Sequence, residues 1–265
     1  MKTPWLYRIE RPGRVGEVSG YLFGTVHLRS ARVMEAVQAV RPALEICTTF
    51  AAEIDFNDLD PAAAAGLNLA GTDLADDLGQ RDYHKMRRLL LRAVGLDLDH
   101  YRRLPPLMIS GQLREQLLGP QLTTPTLDEA LHGLAVQSGK GITGLESVRF
   151  QLDLLRSVPR AVQVQQLKKM TARLPAARRQ LQRSVDRYLA GEERLLYRQT
   201  RDGLGNQRRA LLYDRNRRMT LRLDELLQDQ TVFAAVGAAH LPGGKGMLRL
   251  LKQAGWVVRN QQTWS

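Results

Sequence analysis

The sequence predicts an α/β fold with a mixed central sheet, histidines at the carboxyl ends of its strands, and a large helical insertion that covers a cleft. Three observations lead to this prediction. Apolar runs of strand length recur near both ends and at intervals between them, residues 147–228 read as almost wholly helical, and the chain closes on a strand–helix–strand unit. With 265 residues the protein can bury a substantial core.

The first part of the chain alternates strands and helices. Residues 5–10 and 18–24 predict two strands joined as a hairpin around the turn sequence "PGRVGE". The segment "RVMEAVQAV" has the spacing of a short amphipathic helix. The segment "TTFAAEID" is a run of β-branched and apolar residues that ends in acids, which predicts a strand.

Helices dominate the middle of the chain. "QRDYHKMRRLLLRAVG" predicts a helix that stops at glycine, and "PTLDEALHGLAVQSG" predicts another, with Thr126 as N-cap and Glu129 at capping-box spacing. "GITGLES" predicts a short strand. Residues 147–228 then predict helices broken near Pro159, Pro175 and "DGLGNQ".

The last elements are a predicted strand "TVFAAVG", a helix "GGKGMLRLLKQAG" and a closing strand "WVV". We expect a single domain over residues 1–265, because the long helical stretch reads as an insertion on the α/β core. The expected parts are a core from about 5–56, 140–150 and 230–260 and a helical cap from about 57–139 and 150–228.

Composition restricts the class of protein. Apolar residues make up 43% and charged residues 25%, as is usual in water-soluble globular proteins. No stretch of apolar residues is long enough to predict an integral membrane segment. The N-terminus lacks the apolar core of a signal peptide and the single Cys47 fits a reducing compartment, so we expect a cytoplasmic protein. A chain trimmed of a leader would look the same, which keeps a secreted or periplasmic location open.

The net charge of +12 is concentrated in one region. Between Arg156 and Arg222 there are 18 basic and 5 acidic residues, a net of +13, so the rest of the chain nets −1. We expect this basic helical region to be exposed, outside the catalytic cleft and able to contact anionic partners. Aromatic residues do not interleave its arginines in the way that single-strand binders need, which argues against nucleic acid as a partner.

One short motif, Gly-x-x-His, occurs twice, each time at the end of an apolar run. Gly24 and His27 form it in "YLFGTVHLRS", and Gly237 and His240 form it in "VFAAVGAAHLPG". A glycine lets the chain turn sharply after a strand and lets a ligand approach the backbone. The repeat predicts that two strands, one from each end of the chain, bring their histidines to one site.

Two glutamates, Glu53 and Glu146, also close apolar strand-like runs. In open α/β sheets, ligands bind beyond the carboxyl ends of the strands, so two imidazoles and two carboxylates could meet there. Such a set can hold a divalent metal, or can serve as general acid and base without one. The plainer alternative is that the glutamates cap the helices that follow and the histidines are ordinary loop residues.

A polar residue interrupts an apolar stripe near the end of the helical region. Asn216 shares helical spacing with Leu212, Met219 and Leu223, and a buried asparagine must find hydrogen-bond partners. Arg215 lies beside this face. The pair either makes a helix–helix polar contact or reaches under the site.

These motifs resemble the TraB/PrgY/GumN family, which includes the TIKI proteases. The resemblance runs in order through "LFGTVH", "AEID", "GLES", "RNRRM" and "VFAAVGAAHLPGGKGMLRLLKQAGWVV", and it spans residues 5–259. It implies a fold similar to erythromycin esterase and the ChaN-like proteins, with two sheet-bearing halves that flank a cleft. It also implies a metal-dependent peptidase that acts on a peptide or protein substrate.

The resemblance further implies residue roles and a cofactor. The expected catalytic residues are His27, Glu53, Glu146, Arg215 and His240, and the expected binding residues are Gly24, Asn216 and Gly237. The expected metal ligands are His27, Glu53 and His240, holding manganese or cobalt, while zinc also suits these ligands. The other glutamate would then take a proton from water and pass it to the leaving amine. Two other functions stay open: a non-catalytic protein that binds a peptide or signal, and a metal-independent esterase of the erythromycin-esterase type.

Overall fold

The computed structural model describes residues 4–13, 16–58, 73–119 and 124–261. Within these residues the chain divides into two compact units. The sheet unit takes Met1–Asp58, Thr124–Val148 and Ser184–Ser265, and the helical unit takes Leu59–Thr123 and Arg149–Arg183. Of the ranges expected to form a helical cap, 124–139 and 184–228 thus group with the sheet.

The sheet unit contains a mixed sheet with the strand order β4-β3-β5-β2-β1-β6. The strands are β1 Leu6–Glu10, β2 Val18–Thr25, β3 Thr49–Ala52, β4 Gly141–Gly144, β5 Val232–Gly237 and β6 Val257–Asn260. Strands β4, β3, β5 and β2 are parallel, whereas β1 runs antiparallel to both β2 and β6. This confirms the predicted α/β class and the predicted hairpin of β1 and β2, although residues 14 and 15 of its turn lie outside the described residues.

The central strands are buried along nearly their whole length, as parallel strands covered on both faces are. Apolar and small residues therefore follow one another along these strands and do not alternate with polar residues. Thr25 pairs with Gly237, and Ala52 pairs with both Ala235 and Gly144. Because these four strands are parallel and in close register, their carboxyl ends meet at one edge of the sheet.

The α-helices of the described residues follow in chain order. They are α1 Ala31–Ile46, α2 Leu74–Leu78, α3 Gln80–Val94, α4 Pro106–Leu118, α5 Leu127–Gln137, α6 Val148–Ser157, α7 Arg160–Ala172, α8 Leu174–Leu189, α9 Glu193–Leu204, α10 Arg215–Asp229 and α11 Met247–Gln253. In the sheet unit, α5 contacts β3, β4 and β5, and α10 contacts β5 and packs against α11. The helical unit has its own core, built around buried residues such as Leu90, Leu113 and Leu167.

Local sequence signals account for most helix boundaries. The capping box that starts α5 is formed as predicted by Thr126 and Glu129. The break expected near Pro175 is confirmed and falls at Arg173. Pro175 itself lies in the first turn of α8, where proline is accommodated. The break at "DGLGNQ" is a 3-10 turn, Gly205–Gln207, followed by a π-helical segment, Arg209–Asp214, that runs into α10.

The basic helical region contains both exposed and buried cations. Arg149, just before it, and Arg209, inside it, have side chains that are 93% and 85% exposed. Arg215, by contrast, has a side chain only 13% exposed. Across the described ranges no helix combines the length and apolar character that crossing a bilayer requires.

Candidate functional site

The edge where the parallel strands end carries four of the residues singled out in the sequence. Glu53 directly follows β3, and His27 and Glu146 each come two residues after the ends of β2 and β4. His240 closes a 3-10 turn, Ala238–His240, that begins where β5 ends. The backbone N–H of Glu146 donates to the carbonyl of Glu53 at 2.8 Å, which ties two of these chain segments together.

Both histidines face one oxygen of Glu53. Nε2 of His27 and Nε2 of His240 each lie 3.7 Å from Oε1 of Glu53. The same oxygen accepts the backbone N–H of Gly237 at 2.8 Å. The two Gly-x-x-His segments, more than two hundred residues apart in sequence, therefore converge on one carboxylate.

Arg215 forms salt bridges with both glutamates, Glu53 and Glu146. Its Nη2 donates to Oε2 of Glu53 at 2.5 Å, and its Nε and Nη2 donate to Oε2 of Glu146 at 2.9 and 2.7 Å. Burial alone would raise the pKa of Glu53, but the charge of Arg215, followed by the two histidines, holds that pKa well below its usual value. Glu53 is therefore an ionised carboxylate at neutral pH.

Asn216 fixes the ring of His240. Its side-chain amide donates to the carbonyl of Lys245 at 2.7 Å, so its Oδ1 is the atom that faces Nδ1 of His240 at 2.5 Å. Nδ1 then carries the proton, and Nε2 presents a lone pair toward Glu53. Burial, with further contributions from Arg215 and His27, lowers the pKa of His240 to about 4.

The burial of Asn216 agrees with the apolar stripe seen in the sequence. Asn216, Leu212, Met219 and Leu223 are all buried. The interior position is the one expected from this spacing, and of the two contacts left open the hydrogen bond to His240 is the one at the site.

His27 has a different environment. Its side chain is 58% exposed, and its Nδ1 lies 3.0 Å from Oδ2 of Asp128. The other carboxylate oxygen of Asp128 accepts the hydroxyl of Thr25 at 2.6 Å. The negative charge of Asp128, supported by Glu53, raises the pKa of His27 well above its usual value.

Asp128 was missed by sequence reasoning. It stands in the first turn of α5, where an acid is expected simply because it suits a helix start, and only the capping residues around it were singled out. Its role depends on which side of α5 packs toward the end of β2, and no local sequence signal gives that.

Both motif glycines lie in crowded surroundings, where an added Cβ would make close contacts. Neither has a positive φ, so the sharp turn expected of them is not what demands glycine. A Cβ on Gly24 would lie 2.8 Å from Cδ1 of Leu241 and 3.1 Å from Cα of Ala238, and one on Gly237 would lie 3.2 Å from Oε1 of Glu53. Gly24 lets the two motif segments pack together, and Gly237 leaves room for the glutamate.

Replacing Gly24 by alanine is therefore expected to lower the free energy of unfolding by about 1–3 kcal/mol, the usual cost of overpacking. The measurement is urea denaturation. Gly133→Ala is the matched control, since Gly133 lies in α5 with open space around it and alanine there should be neutral or slightly stabilising. Equal effects of the two changes would contradict the close packing of Gly24.

The remaining histidines and the cysteine are not at this edge of the sheet. His84 and His100 contact Tyr83 and Tyr101, and the ring of His132 contacts Phe50 and Phe56. Cys47 is buried, and burial raises the pKa of its thiol to about 12, which leaves it unreactive as a nucleophile at neutral pH.

One of three comparisons with known proteins gives a match. The model of the TraB/PrgY/gumN family matches residues 5–260. No curated protein and no solved structure matches the chain.

Proposed function

The chain belongs to the TraB/PrgY/gumN family, and we propose that it is a hydrolase that cleaves peptide bonds at the point shared by His27, Glu53 and His240 with the help of a divalent metal. One observation carries the proposal. Two imidazole nitrogens from opposite ends of the chain lie at the same distance, 3.7 Å, from one ionised carboxylate oxygen.

The donor set suits a divalent cation chemically. Two imidazole nitrogens and one carboxylate oxygen are ligands that manganese, cobalt and zinc all accept. Among the described residues, no group of three His, Cys, Asp or Glu side chains is already closed around an ion position. Ligands of a tetrahedral ion lie roughly 3.3 Å apart at bond lengths of about 2.0 Å, so the 3.7 Å separations would have to shorten by a few tenths of an ångström.

The three residues that would hold the metal are His27 through Nε2, Glu53 through Oε1 and His240 through Nε2. When bound, the ion would lower the pKa of a water molecule and polarise the scissile carbonyl. Asn216 keeps Nε2 of His240 free of a proton and turned toward the centre. The two separations of 3.7 Å from Oε1 of Glu53 are the observations that support these ligand roles.

Glu146 and Arg215 take a supporting role in this proposal. The side chain of Glu146 is fully buried and accepts two hydrogen bonds from Arg215, so it faces the arginine and not a substrate. This favours a role in fixing Glu53 through Arg215 over the proton-accepting role expected for a second glutamate.

A metal-independent hydrolase is the second candidate, and one observation favours it. The raised pKa of His27 and the lowered pKa of Glu53 leave a protonated imidazole opposite an ionised carboxylate. Glu53 could then accept a proton from water while Nε2–H of His27 donates to the leaving atom. An ester would be the easier substrate, because its leaving alkoxide needs less help than an amine.

Incubation of the purified protein with a peptide library and a set of esters, with and without EDTA, separates these candidates. Cleavage of peptides that stops with chelator and returns with added Mn²⁺ or Co²⁺ supports the metal-dependent peptidase. Ester cleavage that resists chelator supports the second candidate. A protein that binds peptides without turnover would contradict both and leave a binding role.

The stability of the metal-free protein is expected to respond to pH through His240. In the unfolded chain this histidine gains a proton below about pH 6.5, whereas in the folded protein its pKa is about 4. The unfolded state therefore binds more protons between these values, and stability falls as pH drops from about 6.5 to about 4. Relative to His240→Gln, wild type should lose roughly 3 kcal/mol over this window. Urea denaturation in EDTA at several pH values tests this, and parallel pH profiles would contradict it.

A further inference from the structure

We propose that Asp128 is a positioning residue for His27: its buried carboxylate holds the imidazole with the proton on Nδ1, so that Nε2 is the nitrogen presented to Glu53. The effect of this positioning role on turnover rests on the proposed function. The placement of the ring and its proton can be measured without any substrate.

The geometry of Asp128 leaves its two oxygens with different partners. Thr25 is the last residue of β2, and alternation along an extended chain sends its side chain to the same side as that of His27. The Thr25 hydroxyl donates to Oδ1 at 2.6 Å, and Oδ2 lies 3.0 Å from Nδ1 of His27. The carboxylate of Asp128 thus contacts both Thr25 and His27, the residues on either side of Val26.

The second oxygen has no other partner among the residues that the structure describes. Oδ2 of Asp128 is buried and accepts no hydrogen bond of standard geometry there, so Nδ1 of His27, 3.0 Å away, is the polar group it faces. An unpaired buried carboxylate oxygen is costly, so the arrangement is stable only if Nδ1 of His27 carries a proton and offers it to Oδ2. Asp128 itself is held in place, because the capping box of Thr126 and Glu129 fixes the first turn of α5.

His27 needs such an anchor. A side chain that is 58% exposed at the end of a strand would otherwise sample several rotamers. His240, by contrast, is buried and held by Asn216. Each imidazole at the centre therefore has its own partner at Nδ1, an amide oxygen for one and a carboxylate for the other. Partners of this kind fix both the ring orientation and the tautomer of histidines in metal and catalytic sites.

A carboxylate is needed at position 128, because an amide there would shift the proton of His27 to the other ring nitrogen. While the Thr25 hydroxyl donates to Oδ1, the NH₂ group of an asparagine would face Nδ1 of His27. Two donors cannot share one contact, so the ring would move its proton to Nε2. The lone pair would then be lost from the side that faces Glu53.

The test is the tautomer of His27, read from the ring ¹⁵N shifts of ¹⁵N-histidine-labelled, metal-free protein. Spectra are recorded at a pH high enough for His27 to be neutral, in wild type, Asp128→Asn and Asp128→Leu. Glu129→Gln is the matched control: Glu129 pairs with Arg29 and not with His27, and a glutamine can still accept the backbone N–H of Thr126, so the capping box that holds Asp128 is kept. We expect Nδ1–H in wild type and in the control, and Nε2–H or a mixture in the two Asp128 variants.

Wild type with the proton on Nε2 would overturn the proposal, as would retention of Nδ1–H in both variants. The wild-type measurement needs no variant, so a poorly folding mutant does not spoil the test. Where hydrolysis is found, Asp128→Asn should lower kcat at least about 100-fold with KM little changed, and Asp128→Glu should recover part of the loss. The expected tautomers in a protein without hydrolytic activity would support the positioning role while the proposed function fails.

Discussion

Replacing His27 or His240 by alanine is expected to lower the kcat/KM of the proposed hydrolysis by at least about 100-fold, and replacing both is expected to lower it little further. The reason is that the two Nε2 atoms serve one point, each 3.7 Å from Oε1 of Glu53. With one imidazole gone, the other can no longer complete the site. Residues that act as one unit give losses that do not multiply.

The measurement is steady-state kinetics on whichever substrate the peptide and ester screen identifies. His84→Ala is the matched control, because His84 is an exposed residue of α3 and should leave kcat/KM unchanged. Melting curves of each variant show whether the fold persists. A double variant that loses the product of the two single losses would mean that the histidines act independently, and the shared centre would be wrong.

Replacing Arg215 by methionine is expected to lower the free energy of unfolding by about 3–5 kcal/mol. The change leaves the carboxylates of Glu53 and Glu146 buried together with their shared cation removed. Uncompensated buried charge costs far more than the loss of an exposed ion pair. Arg209→Met is the control, since the exposed pair of Arg209 with Asp214 should contribute no more than about 0.5 kcal/mol.

A compensated variant separates charge from packing. Arg215→Met combined with Glu53→Gln and Glu146→Gln removes the cation and both charges together, so most of the lost stability should return in urea denaturation. Activity should not return, because the carboxylate at the centre is gone. If the triple variant is as unstable as Arg215→Met alone, the cost lies in packing and the charge argument fails.

Much of the sheet could be predicted from the sequence. Apolar runs of four to eight residues gave β2, β3 and β5, and the polar residue after each run marked the edge where the strands end. Start and stop signals gave the capping box of α5 and the glycine end of α3. These features are local, since they depend on backbone dihedrals and burial of nearby residues.

Several features could not be predicted in this way. Arg215 was expected at the site, but its partners were not: it lies in a basic stretch that was expected to be exposed, and it is buried between two glutamates far from it in the chain. The division into a sheet unit and a helical unit assigns the helices α5, α9 and α10 to the sheet. Spacing along the chain shows that a helix has an apolar face, but not which partner covers that face.

By itself, the sequence predicted the α/β class with a mixed sheet, most of the strands and helices, and the four polar strand ends at Glu53, Glu146, His27 and His240. Tertiary structure alone decided that both imidazoles meet Oε1 of Glu53, that a Cβ at position 237 would crowd this oxygen, and that Asp128 reaches His27. The physical reason is the sequence separation of the residues that interact. Element type follows from interactions over a few residues. These contacts instead join residues on separate elements, 26 positions apart for His27 and Glu53 and about a hundred or more for the others, and they depend on strand order and on how α5 and α10 rotate as they pack on the sheet.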